Sequence, residues 1–106
     1  MKPDKSAFLI AAALLACATA SRAQDAQTLR TRSLAATCGQ CHGTDGHAID
    51  GAAVPGLAGL PASYLVEQMS AFKSGARPAT VMHQIARGYG DAQIEQLARY
   101  FAAQPK

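Results

Sequence analysis

Cys38-Gly39-Gln40-Cys41-His42 is the stretch that decides this chain. The spacing C-x-x-C-H is the one at which a protein takes a covalently attached haem. On a helix these residues fall at i, i+3 and i+4, so two thiols and one imidazole share a face and meet the same edge of a porphyrin. Cys38 and Cys41 can then add to the two vinyl groups as thioethers, and His42 is held beside the iron. A C-x-x-C pair also serves thioredoxin-like redox centres and zinc sites, but neither fits. Zinc needs four ligands, and past this motif only His47 and His83 remain, with no further cysteine. A thioredoxin-like protein needs strands, and no run of alternating β-branched and aromatic residues is present.

Residues 1–23 read as a removable export signal. Lys2 and Lys5 open it, Ala7 to Ala16 is an unbroken apolar run, and Ser21-Arg22-Ala23 supplies small residues for cleavage. The apolar run is too short to span a bilayer, so the expectation is release into an oxidising compartment, the bacterial periplasm. Leu14-Leu15-Ala16-Cys17 resembles a lipobox and competes with cleavage after Ala23. If used, it would put a lipid anchor on Cys17. Loss of Lys2, Lys5 and Arg22 against Asp4 lowers the formal net charge from +3 to +1. The basic character is therefore mostly signal, and nothing suggests nucleic acid.

Residues 24–106 form one expected domain whose own core is small. A haem would add the missing apolar area, and the chain without it is expected to be largely unfolded. The pattern predicts an all-α fold. A first helix runs from Asp25 to about Cys41. A loop follows, broken by Gly43, Gly46, Gly51 and the stretch Pro55-Gly56-Leu57-Ala58-Gly59-Leu60-Pro61. A second helix spans Ala62 to Lys73 with Leu65, Met69 and Phe72 inward, and a short turn covers Met82 to Arg87. The last helix runs from Asp91 to Ala103 with Ile94, Leu97, Ala98 and Phe101 on one face.

With these elements in order, the chain resembles the class I cytochromes c. The likeness rests on Cys38-Gly39-Gln40-Cys41-His42, on Pro55-x-Leu57-x-Gly59, and on Met82 followed by a helix ending Leu97-Ala98-Arg99-Tyr100-Phe101. It implies a small fold of three to five helices wrapped around one haem c. It also implies that the Pro55 carbonyl accepts the imidazole N–H of His42 and so orients it. Tyr64 to Met69, Phe72 to Gly75 and Arg77 to Ala86 are similar to the cytochrome c4 type and to the cytochrome subunit of flavocytochrome c sulfide dehydrogenase. Better-known members carry two haem domains, and this chain has one C-x-x-C-H.

The second face of the iron separates electron transfer from small-molecule chemistry. Met82, in an irregular stretch after Pro78 and at the family position, is the expected distal ligand. Met69 is the rival thioether, although its helical register suits core packing. His83 could ligate instead, and would lower the potential. It reads better as a surface or haem-edge residue, and His47 as solvated. Tyr64 and Tyr100 either line the haem pocket or bond a propionate, with aromatic core packing as the alternative. Lys73, Arg77 and Arg87 either flank a docking edge or simply solubilise.

The resulting expectation is a monohaem electron-transfer protein, not itself an enzyme, acting as the haem subunit of a flavoprotein sulfide dehydrogenase. A freely diffusing carrier serving several redox proteins or a terminal oxidase is the alternative. An open-site haem sensor or peroxidase would need the distal position free, and a thiol-disulfide protein would have no use for His42.

Overall fold

The computed structural model describes residues 5–106, apart from the side chains of residues 7, 8, 15–21, 23 and 24. The Cys17 lipobox reading and the start of the signal therefore lie outside the described groups. Two compact units divide the chain, one ending at Arg30 and the other comprising Thr31–Lys106. Five α-helices are present among the described residues: α1 Lys5–Ala36, α2 Gly39–His42, α3 Ala62–Ser74, α4 Met82–Arg87 and α5 Asp91–Ala102. There is no strand among them, as the fold class requires.

α1 differs from expectation at both ends. It begins at Lys5 and not at Asp25, because the whole stretch from Lys5 to Ala36 contains neither proline nor glycine and is rich in alanine. None of the described helices is long and apolar enough to cross a membrane. α1 stops at Ala36 and not near Cys41, because the next turn tightens. Thr37 N and Cys38 N bond back three residues, to Leu34 O and Ala35 O, and the Thr37 hydroxyl donates to Leu34 O at 2.7 Å. A threonine that spends its hydroxyl on a carbonyl of the preceding turn competes with helix continuation. Helical geometry resumes at once in α2, where Cys38 O accepts the His42 N–H at 3.0 Å.

In the Thr31–Lys106 unit α5 forms the core. Ile94, Leu97, Ala98 and Phe101 are all buried, as the apolar stripe predicts. Leu97, Ala98 and Phe101 pack with Ala35 at the end of α1 and Leu65 of α3, with Leu34, Leu57, Leu60 and Val66 around them. Gly90 caps α5, its N–H donating to the Gln93 side chain at 2.9 Å. α3 ends in a left-handed Gly75, as its sequence anticipates. Of the inward residues expected on α3, Leu65 is buried, whereas Met69 and Phe72 are half-buried.

The loop after α2 is drawn onto this core. Gly46 has φ of 82°, and a Cβ there would come within 2.9 Å of the Phe101 ring and 2.8 Å of Ala58 N. Only glycine allows the backbone this close. Gly46 O accepts from Leu57 N (2.8 Å) and Ala58 N (3.1 Å), and Phe101 O accepts from Gly59 N (2.9 Å). The loop bearing Pro55 is thereby pinned beneath the helix bearing His42.

Candidate haem site

His42 ends α2 and is buried, with 8% of its surface exposed. Its Nδ1 lies 2.7 Å from the Pro55 carbonyl oxygen. A carbonyl can only accept, so Nδ1 carries the hydrogen and Nε2 keeps the lone pair. An imidazole in that tautomer is ready to ligate a metal through Nε2, with its ring plane held by the second-shell carbonyl. Cys38 is half-buried and Cys41 exposed. Burial pushes the Cys38 thiol up from its ordinary pKa, against a weaker opposing effect from the Thr37 hydroxyl.

Met82 is the first residue of α4, directly after Val81 (φ −138°, ψ −31°) at its cap, and is half-buried. Met69 sits in the middle of α3. His83 follows Met82, and its Nδ1 is buried with no hydrogen-bond partner among the described residues. Two thiols and a tautomer-fixed imidazole on one short helix and its N-terminal cap, with a thioether available on another helix, form a donor set that suits a covalently attached haem. A His/Met pair of this kind is the cytochrome c combination.

Other residues are placed in ways that the sequence alone does not indicate. Tyr100 donates its hydroxyl to Asp45 Oδ1, which raises the phenol above its usual pKa, with burial and the Asp45 charge adding to the effect and Arg32 opposing it. Tyr64 is exposed. His47, expected to be solvated, is exposed but uses Nε2 on the Pro105 carbonyl at 2.8 Å. Lys73 is bound to the Tyr89 carbonyl (2.8 Å) and to Asp91 (3.1 Å), and Arg77 lies 4.6 Å over the Phe72 ring. Of the three expected steering cations, Arg87 makes no such contact among the described residues. Thr37, Asp45 and Tyr89 are the residues that sequence reasoning passes over. Only Thr37 carries a hint, through its position immediately before Cys38.

Residues 30–104 match the Cytochrome c family. The chain is 43% identical over 68 residues to the thiosulfate dehydrogenase electron acceptor of Thiomonas intermedia, covering 64% of this chain and 31% of that protein. It is 36% identical over 72 residues to the cytochrome subunit of sulfide dehydrogenase of Chlorobaculum tepidum, covering 68% of this chain and 64% of that one. The cytochrome c4 of Acidithiobacillus ferrooxidans superposes with a TM-score of 0.59 at 36% identity, over 62% of this chain and 37% of that one. The chain thus spans about a third of two of these relatives and somewhat under two thirds of the third. With its helical fold, its C-x-x-C-H spacing and these likenesses, the chain belongs to the cytochrome c family of electron-transfer proteins that carry haem c.

Proposed function

We propose that this cytochrome is exported to the periplasm, attaches haem c at Cys38 and Cys41, and uses His42 and Met82 as axial ligands. On this reading it accepts single electrons from a dehydrogenase of reduced inorganic sulfur, in the first instance a flavoprotein that oxidises sulfide. The observation that carries the site assignment is the 2.7 Å bond between His42 Nδ1 and Pro55 O, which leaves Nε2 as the ligating atom.

Bound haem supplies a one-electron iron couple. The chain's own residues hold it and set its surroundings. Cys38 and Cys41 would tether it, His42 would present Nε2 in a fixed orientation, and Met82 would supply a thioether as the second protein ligand. A thioether ligand raises the potential relative to a second imidazole, which suits an electron acceptor. Residues 1–23 act as the signal, and 24–106 as the mature domain.

The sulfide reading draws on the Chlorobaculum relative's name and on the likeness across Arg77 to Ala86. A thiosulfate dehydrogenase is the second candidate donor, favoured by the 43% identity to the Thiomonas acceptor. Docking is expected to be mainly apolar and only mildly salt-dependent, since the charge after signal removal is close to neutral and Lys73 and Arg77 are already engaged within the chain. The test starts with the intact mass of the exported protein, which should equal the chain from residue 24 plus one haem. The oxidised protein is then mixed with a flavoprotein sulfide dehydrogenase plus sulfide, or with a thiosulfate dehydrogenase plus thiosulfate. Rapid haem reduction in one arm identifies the donor. Equal, slow reduction by unrelated donors would instead make this a general diffusing carrier.

A further inference from the structure

The helix bearing Met82 is poorly equipped to hold itself. α4 has six residues, too few to be stable by its own hydrogen bonds. Val81 and Ile85 are 50% and 38% exposed, and the one buried side chain of α4 is the methyl group of Ala86. α4 packs against α3, and polar bonds at its far end converge on Tyr89. The Tyr89 N–H donates to Ala86 O at 3.2 Å, closing the last turn of α4. Its carbonyl accepts from Lys73 Nζ of α3 at 2.8 Å. Its phenol lies 2.8 Å from Thr37 Oγ1, 52 residues away in sequence.

The direction of that last bond follows from counting protons. A hydroxyl has one hydrogen, and Thr37 gives its own to Leu34 O at 2.7 Å. The Tyr89 phenol is therefore the donor and Thr37 Oγ1 the acceptor. Thr37 precedes Cys38, and its Oγ1 is 3.9 Å from the Cys38 sulfur. A single hydrogen bond thus joins Thr37, next to Cys38, to the residue at the exit of the helix that starts with Met82.

We propose that Tyr89 is a positioning residue for the distal ligand: through Thr37 its phenol ties the end of α4 to the haem-attachment segment and so holds Met82 in its ligating place. This rests on the reading of Met82 as the axial ligand. Any arrangement in which α4 moved off this position would lose the bond, so removing it is expected to favour states in which Met82 does not ligate.

The probe is free imidazole, titrated into the ferric haem protein while the weak charge-transfer band of methionine-bound haem at the red end of the spectrum is followed. Tyr89→Phe keeps the ring packing and removes only the hydroxyl. It should tighten imidazole binding about threefold to tenfold, the weight of one net hydrogen bond. Thr37→Val should do the same, the double variant should go no further than either alone, and Thr37→Ser should restore the original affinity. Met82→Ala is measured alongside. If it abolishes the band while Tyr89→Phe and Thr37→Val leave imidazole affinity unchanged, Tyr89 has no positioning role and the ligand assignment stands. If Met82→Ala keeps the band, the ligand assignment and the role of Tyr89 fall together.

Discussion

The two regions proposed to supply the haem ligands are built in opposite ways. The proximal region, from His42 to Gly59, is held by long-range backbone acceptors: Pro55 O takes the imidazole, Gly46 O takes two amides, and Phe101 O takes Gly59 N. In the distal region, residues 78–90, the described backbone bonds reach no farther than four residues along the chain. Its long-range polar ties run through side chains, the Lys73 ammonium and the Tyr89 phenol. Backbone bonds to a buried helix are as rigid as the core they join, whereas a pair of side-chain bonds is worth about 1 kcal/mol each. The imidazole of His42 is accordingly oriented by a loop carbonyl bonded into the fold, whereas Met82 sits on a short helix held by packing against α3 and by these side-chain bonds.

The largest test of this contrast is Phe101→Ala. Phe101 is buried, supports the Gly46 turn with its ring and caps Gly59 with its carbonyl. Its loss should cost about 3–5 kcal/mol in denaturant unfolding of the haem protein and loosen the proximal loop. If unfolding moved by less than about 1 kcal/mol, the rigidity assigned to the proximal side would be misplaced. Met82→Ala should act on the other side with a smaller effect on stability. It should remove the methionine charge-transfer band, lower the reduction potential and admit exogenous ligands, while Met69→Ala keeps all three as they are. The reverse pattern would move the ligand to α3.

The smallest effect is expected at Tyr100, which bonds Asp45 at the start of the proximal loop. Its phenol is raised in the folded state by that bond, by burial and by the Asp45 charge. The folded protein therefore holds this proton more tightly than the unfolded chain. The contribution to stability is complete below the ordinary phenol value near 10 and is lost as pH rises through the folded value. Tyr100→Phe should cost about 0.5–1.5 kcal/mol at neutral pH, and the difference from the parent protein should vanish in strongly alkaline solution. A difference that persisted unchanged there would mean that the phenol–carboxylate bond adds nothing.

Much of this was open to reading from the chain alone, and for one physical reason: helical periodicity is local. The C-x-x-C-H spacing places its three donors within a single turn, and the stripe Ile94, Leu97, Ala98 and Phe101 announces a buried face whatever it packs against. Pro55 was reachable only through resemblance, since no spacing rule ties residue 42 to residue 55. The helix break at Thr37 escaped because it depends on where one hydroxyl spends its hydrogen. Tyr89 and Thr37, 52 residues apart, and Tyr100 and Asp45, 55 apart, meet only after the loops have been routed over α5. The C-x-x-C-H spacing and the existence of the later helices were therefore determined by the sequence itself. Which side chains brace each ligand was decided by the tertiary structure, because such bonds join residues whose proximity no local pattern encodes.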